Sequence, residues 1–320
     1  MIELWYDASR EARSLCLEGQ SPSNRTACVA TEAIQQHQES AEPGKSCECS
    51  GGRECGCESC RAKHKGAWVY ALGTIGFRFP AISIEKELTQ AISRGDAKGL
   101  TDPQAFREAL VRPENRYLVR QLCWVLSVEH VPTYILTPRD PADYLLLVEA
   151  LRPNPSPVDL DVVIGMRGPT APPQACAGLQ VPVVAFDQLY SFDRESLLSS
   201  IPHPENTPAD RFRPMAEEVL QRIIEVVGNT GATDEHRALN YLAVRYPAIY
   251  HRAAEEFSQN ASLSSVDVRP SALSGARRIV DVIFGYTNRS TDVVTKFAVR
   301  VDVTDEFPFL VSKLSAYFDH

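Results

Sequence analysis

Cys47, Cys49, Cys55, Cys57 and Cys60 stand in one short run, CECSGGRECGCESC, that holds almost no apolar side chain. Such a run has nothing to bury, so a metal or disulfides must order it. Zinc takes four nitrogen or sulfur ligands in a tetrahedron, and ligand pairs close in sequence can share one ion. The spacing here is Cys-x-Cys, five residues, then Cys-x-Cys-x-x-Cys. Cys57 and Cys60 have the turn spacing of a zinc knuckle, and Cys47 and Cys49 supply a second pair. Cys55 is an alternative ligand, with His64 and Cys176 as less favoured ones. Gly51, Gly52 and Gly56 let backbone N–H groups approach the sulfurs. Three readings of the run compete: structural zinc, an iron–sulfur cluster, and free or redox thiols. The spacing matches no common ferredoxin run. A redox pair needs Cys-x-x-Cys at a helix start, which these glycines do not provide. Structural zinc is therefore expected, with every coordination position filled by protein. The cations that follow, Arg61, Lys63 and Lys65, would offset the negative charge of a tetrathiolate site.

Other chemistry-bearing residues are scattered. Asp159 and Asp161 share one face of an expected strand, where two carboxylates could bind a metal or share a proton; solvated acids explain them as well. Asp187 and Asp193 flank QLYSF near the end of a buried strand, a place where ligands bind in α/β sheets, although Asp193 also suits the cap of a following helix. His236 is expected at a helix surface, and His130, His203 and His251 have no evident partner. Cys123, in QLCWVL, reads as a small core hydrophobe, and Trp68, Tyr70 and Trp124 read as core. No G-x-S-x-G elbow, Walker loop, H-E-x-x-H or G-x-G-x-x-G occurs, so the corresponding hydrolase, NTPase, zincin and dinucleotide readings lack support.

The elements that must position these residues form a mixed pattern. AWVYALG has strand composition. Ser83 is the expected cap of a helix through Arg94, with Ile84, Leu88, Ala91 and Ile92 at helical spacing, and Asp102-Pro103 opens the next. YLVRQLCWVLSVEH is ambiguous between helix and strand, PTYILTP reads as a strand, and Asp140-Pro141 starts another helix. LDVVIGM and VPVVAFDQLY are short buried strands separated by a proline loop. A helix over 209–227 ends at GNTG, and Thr233 caps its successor with Asp234 and Glu235 in the first turn, where the helix dipole favours anions. SSVDVRP, RIVDVIFGYTN and VVTKFAVRVDV read as antiparallel strands, with TNRSTD as a hairpin turn. The expected fold is α+β: a mixed sheet flanked by helices, a C-terminal antiparallel segment and a Cys-rich metal-binding loop at the N-terminal edge. The expected division is a polar arm over 1–46, the zinc loop over 47–66, a first α/β half of the body over 67–207, and completing helices and strands over 208–320.

The 320 residues are 44% hydrophobic, enough for a sizeable core, and carry a net charge of −8. An acidic chain is not drawn non-specifically to nucleic acid or to anionic membranes. No run of about eighteen apolar residues offers a spanning helix, and the N-terminus lacks the basic head and apolar core of a secretory signal. Nine cysteines without such a signal point to the cytoplasm, where a cysteine cluster binds metal more often than it forms disulfides.

From Trp68 onward several long segments are distinctive: VYALGTIGFRFPAISIEKE, RDPADYLLLVEALRPNPSPVDLDVVIGMRGPTAPP, VPVVAFDQLYSFDRESLL, GATDEHRALNYLAVRYPAIY and RVDVTDEFPFLVSKLSAYFD. Together they resemble the C-terminal domain of the cyanobactin (patellamide-type) maturation proteins, over roughly 67–205 and 228–320. In that family cleavage and macrocyclisation belong to a separate subtilisin-like domain. This sequence has no serine segment of the G-T-S-M-A type, and residues 1–66 are too few for such a domain, so the proteolytic activity is not carried over. The resemblance implies a mixed α/β fold and a place in the maturation of ribosomally made, post-translationally modified peptides. It supplies no catalytic residues.

The function expected from all of this is that of an accessory, non-catalytic protein that binds a precursor peptide or a maturation enzyme, with a homodimer as a further possibility. The rival is a metal-dependent enzyme that modifies or cleaves the precursor, with Cys55 or His64 as a labile ligand. A third reading is a redox sensor built on the thiols.

Overall fold

The computed structural model describes residues 67–95, 99–155, 159–193, 208–225 and 228–318, with Ser196 and Ser199, and all of these belong to one compact unit. The cysteine run 47–60 and His64 lie outside the described residues.

Five strands close into a barrel: β1 (Ala67–Arg78), β2 (Cys123–Val128), β3 (Val131–Pro138), β4 (Asp159–Thr170) and β5 (Pro182–Asp193), in the order β1-β2-β3-β5-β4. Only β3 and β5 pair in parallel; the other neighbours are antiparallel. The mixed sheet expected from sequence is therefore present, but it curls until β1 meets β4. Closure works because β1 divides its pairing. Ala67–Gly73 pair with β4, and Thr74–Arg78 pair with β2. At the point of exchange Gly73 is required, since a Cβ there would stand 2.4 Å from the Ser127 carbonyl oxygen.

Alternation then sorts the strand residues into two cores. Val69, Ala71, Trp124, Leu126, Leu136, Val163, Val184 and Phe186 gather with Leu88 of α1 (Ile82–Ser93), Leu110 of α2 (Asp102–Val111), Leu118 of α3 (Arg116–Gln121) and Leu147 of α4 (Tyr144–Ala150). Their neighbours Tyr70, Leu72, Leu160, Val162 and Ile164 face a second core. That core includes Met215 and Val219 of α5 (Ala209–Ile224), Leu239 and Leu242 of α6 (Asp234–Arg245) and Ile249 of α7 (Ala248–Ser258). It continues onto Val282, Phe284, Val299 and Val301 of a second, antiparallel sheet. This sheet runs β10-β8-β7-β6, with β6 (Ala261–Pro270), β7 (Ile279–Asn288), β8 (Val294–Asp302) and β10 (Ser315–Tyr317); β9 (Phe309–Leu310) adds to β8.

Several local expectations shift by a residue. The first helix begins at Ile82 with Ala81 as its N-cap and no side-chain cap, so Ser83 lies within it. Thr101, one residue before Asp102, caps α2, and Gln104 completes a capping box. The ambiguous run divides into α3 and β2, and the Trp124 indole N–H donates to the Val119 carbonyl at 2.8 Å across that junction. Thr233 caps α6 as expected, its hydroxyl accepting from the His236 N–H at 3.2 Å.

Cys123 is buried, as a core reading requires, but it is not a free thiol: it forms a disulfide with Cys176. Cys176 thus has its sulfur occupied, and the less favoured ligand role named for it does not fit this structure. The bond pins the β4–β5 loop onto β2 and β3, where Val125, Ile135 and Ala171 complete a small third core. Both cysteines are buried, at 6% and 1% exposure, which denies an external thiolate access. Native protein should therefore resist alkylation at these two positions even with a thiol reductant present, and label fully once denatured and reduced. The Cys123→Ala/Cys176→Ala variant should lose on the order of 4 kcal/mol of stability, as expected for releasing a loop closed across a 53-residue separation. Intact-mass analysis and denaturant titration read the two outcomes.

Candidate functional site

The ionisable groups that the fold removes from water are the natural starting point for chemistry, because burial is what shifts a side chain toward acid or base work. Asp161 is such a group, at 3% exposure. One carboxylate oxygen accepts from the Ile75 backbone N–H at 2.7 Å and the other from the Ser191 hydroxyl at 2.6 Å. Ile75 lies just past the point where β1 leaves β4 for β2, so the carboxylate takes the place of a lost strand partner. Burial pushes the Asp161 carboxyl up to about 6, opposed by these two hydrogen bonds and by Arg152. Asp159, two residues back, sits opposite Asp193 in the β4–β5 ladder. Asp161 is thus spent on backbone and hydroxyl donors.

The other half of β1 is served by the turn Gly228–Gly231, which the sequence marked only as a helix stop. The Tyr70 N–H donates to the Gly231 carbonyl at 2.9 Å, and the Tyr134 hydroxyl donates to the Thr230 carbonyl at 3.0 Å. Asn240 of α6 donates to the Tyr70 carbonyl at 2.8 Å, and its amide exchanges hydrogen bonds with that of buried Asn229. Gly231 has φ +74, and a Cβ there would stand 2.3 Å from the Tyr70 carbonyl oxygen.

A second ionic group spans the barrel and the loop after β8. Arg139 holds Asp187 of β5 at 3.0 Å through Asp187 Oδ1. Asp187 lies within hydrogen-bonding reach of the Glu306 carboxyl, and burial, then Asp187 itself, raises Glu306 to about 7, with Arg139 and Arg237 opposing. Arg237 of α6 is 1% exposed. Its guanidinium donates to the Val303 carbonyl at 2.7 Å, to the Asp305 carbonyl, and to the Glu306 carbonyl at 3.0 Å. Burial brings Arg237 down to about 10, against the pull of Asp234 3.7 Å away. Arg278 reaches the same Asp234 at 3.0 Å, and Asp234 is nevertheless raised by burial.

Of the acids singled out in the sequence, Asp187 belongs to this group and Asp161 to the β1 exchange point, where Asp159 adds to the upward push on its carboxyl. His236 is half-buried rather than a plain surface residue: burial lowers it, and its Nδ1 has no hydrogen-bond partner among the described residues. His130 occupies the left-handed region (φ 66) in the β2–β3 turn, and His251 stacks obliquely on Phe212. Arg237 and Glu306 were not anticipated. Arg237 was in principle legible as a charge beside the apolar stripe of α6; nothing in the sequence marked Glu306.

Among the described residues no three His, Cys, Asp or Glu side chains converge as a metal site. A cleft lined by Ile92, Leu100, Ala109 and Arg112 offers about 10 Å³, the room of a single water. It falls far below a ligand pocket of several hundred Å³.

Two changes test the structural assignments. Gly231→Ala must either abandon its positive φ or displace β1, and should cost on the order of 3 kcal/mol in denaturant titration. Because Asp161 keeps its proton to a higher pH when folded than when unfolded, it makes the folded state lose stability as pH rises from its ordinary range, near 3.8, to about 6. Asp161→Asn should flatten that part of the stability profile, since its amide oxygen can accept from the Ile75 N–H and its NH2 can donate to the Ser191 hydroxyl oxygen without titrating.

The family model for the PatG C-terminal region matches residues 206–317. A solved structure described as "PatG Domain of Unknown Function" shares the fold, with a TM-score of 0.64 at 22% identity, over 79% of this chain and 99% of that one. No curated protein matches. The resemblance to the PatG-type proteins read from the sequence therefore holds, through a family match over residues 206–317 and a common fold over most of the chain.

Proposed function

We propose that this chain is an accessory, non-catalytic protein of peptide maturation in the cyanobactin manner, acting in the cytoplasm, and that it holds an extended precursor peptide. The observation that carries the reading is the PatG C-terminal match over residues 206–317. The ionic groups add support, since Asp161 and Arg237 are committed to backbone and hydroxyl partners that hold the fold together.

The second sheet supplies the docking edge. Closure leaves the barrel without a free strand, so the long edge lies on β6, whose one strand neighbour among the described residues is β7. The Ser271 N–H donates to Ile279 across the β6–β7 ladder. By the alternation of antiparallel pairing, Asp267 and Arg269 also face β7, and Val266 and Val268 turn their N–H and C=O groups outward. An added strand would use these groups for affinity. The bulge at Leu263/Ser265, the charges of Asp267 and Arg269, and Pro270 limit indiscriminate pairing, so a homodimer through this edge is disfavoured.

The zinc reading belongs to the same proposal: four of Cys47, Cys49, Cys55, Cys57 and Cys60 hold a structural ion, with His64 in reserve. Protein purified without added metal should then carry about one equivalent of zinc, and less than about half an equivalent counts against it.

Calorimetry with a cyanobactin-type precursor peptide should show saturable binding. Val268→Pro removes one outward N–H while leaving the β6–β7 ladder intact, and should weaken binding about tenfold, the worth of one hydrogen bond. Absence of binding ends the peptide-holding reading. A mass change in the precursor on incubation with this protein alone would instead mark it as an enzyme.

A further inference from the structure

Glu306 Oε1 and Asp187 Oδ2 are both shut away from solvent, and neither is met by a hydrogen-bond donor among the described residues; the two carboxyls lie within hydrogen-bonding reach of each other. Two carboxylate oxygens are both acceptors, so their contact can be satisfied only by a proton between them. Asp187 Oδ1 already has Arg139 at 3.0 Å, which places the shared proton on Glu306. The two residues come from different parts of the fold: Asp187 from barrel strand β5, and Glu306 from the link between β8 and β9.

We propose that Asp187 and Glu306 form a proton-sharing latch that fastens the β8–β9 link to the barrel at mildly acidic pH and loosens it above neutrality.

The charged groups around the pair bear on the sign. Arg139, from the end of β3, lies beside Asp187, and Arg237 of α6 lies beneath the link, with Asp234, Arg278 and Asp305 completing its surroundings. Both arginines favour ionised Glu306, yet burial and Asp187 outweigh them and hold its carboxyl near 7. Below that pH the neutral acid donates to Asp187. Above it two negative oxygens confront each other with no donor among the described residues already hydrogen-bonded to either, and the Glu306 side chain turns outward. Arg237 continues to grip the Val303, Asp305 and Glu306 carbonyls, so the link stays attached at its base while its outer part is freed. That outer part carries Phe307, already 44% exposed, and runs into Phe309 of β9, which is paired with β8. The latch thus sets how firmly the exposed Phe307 ring is held. It is independent of the maturation reading, because it concerns the fold of this chain alone.

The test is hydrogen exchange on the full chain, followed by mass spectrometry of peptides covering 304–311 and corrected for the intrinsic pH dependence of exchange. Between about pH 5.5 and 8.5 the protection of this segment should fall about tenfold in the wild-type protein, with the barrel strands unchanged. Glu306→Gln donates its amide to Asp187 at every pH and should keep the segment protected throughout. Unchanged protection in the wild-type protein, or an equal fall in Glu306→Gln, overturns the proposal. A carbon-13 titration of glutamate-labelled wild-type protein gives a readout that needs no variant to fold. One glutamate carboxyl titrating near neutrality is expected, and its absence would refute the latch.

Discussion

The structure depends on one strand serving two partners. β1 gives its first half to β4 and its second half to β2, and each half leaves backbone groups on its other side that the barrel itself does not satisfy. A buried, unpaired N–H or C=O costs about as much as a lost hydrogen bond, so a closed barrel of this kind needs donors and acceptors brought from elsewhere. Asp161 and the Gly228–Gly231 turn supply them. The carboxylate takes the Ile75 N–H just beyond the exchange point, and the turn takes the Tyr70 N–H ahead of it, with Asn240 on the Tyr70 carbonyl.

This constraint ties the two halves of the body together. The groups that complete β1 on its Tyr70 side come from the chain after residue 227: the turn precedes α6, and Asn240 lies within it. α6 also carries Arg237, whose guanidinium collects three carbonyls after β8. One helix therefore satisfies both a barrel strand and the exit of the second sheet. Its interior mixes Asn240 and Arg237 with Ala238, Leu239 and Leu242, all buried. A buried guanidinium is costly unless its donors are filled by well-placed acceptors. Three backbone carbonyls meet much of that demand, although Arg237 Nε has no partner.

Much of this arrangement was written locally. Thr233 and Asp234 mark the start of α6, TNRSTD marks the β7–β8 hairpin, and LDVVIGM and VPVVAFDQLY mark two central strands, because caps, turns and apolar runs act over a few residues. Barrel closure was not legible. It depends on β1 meeting both β2 and β4, a pairing between residues far apart in sequence that no periodicity records. The same holds for the polar sites. Asp161 looked like half of a two-carboxylate face, but its role is fixed by Ile75, which lies 86 residues away. Cys123 looked like a small hydrophobe because burial is all its apolar neighbours can report; the presence of Cys176 across a 53-residue separation makes it a cystine. Glu306 lies in DEFPFL, where an acid beside a proline and two aromatics reads as ordinary loop.

The burial of the acids and the division of the cysteines follow from one physical rule: the same side chain does different work according to what surrounds it. Asp161 and Glu306 are both raised by burial, but Asp161 faces two donors and Glu306 faces another acid. The first environment needs no proton to be satisfied, and the second cannot be satisfied without one. Thiols divide in the same way. Cys123 and Cys176 meet inside an apolar cluster of Val125, Ile135 and Ala171, where a bond between them is sealed from exchange. Cys47 to Cys60 stand in the sequence among glycines, acids and an arginine. Residue type alone places an acid or a thiol on a list of candidates. The donors, acceptors and apolar atoms within a few ångströms decide whether it is a fastening or a site.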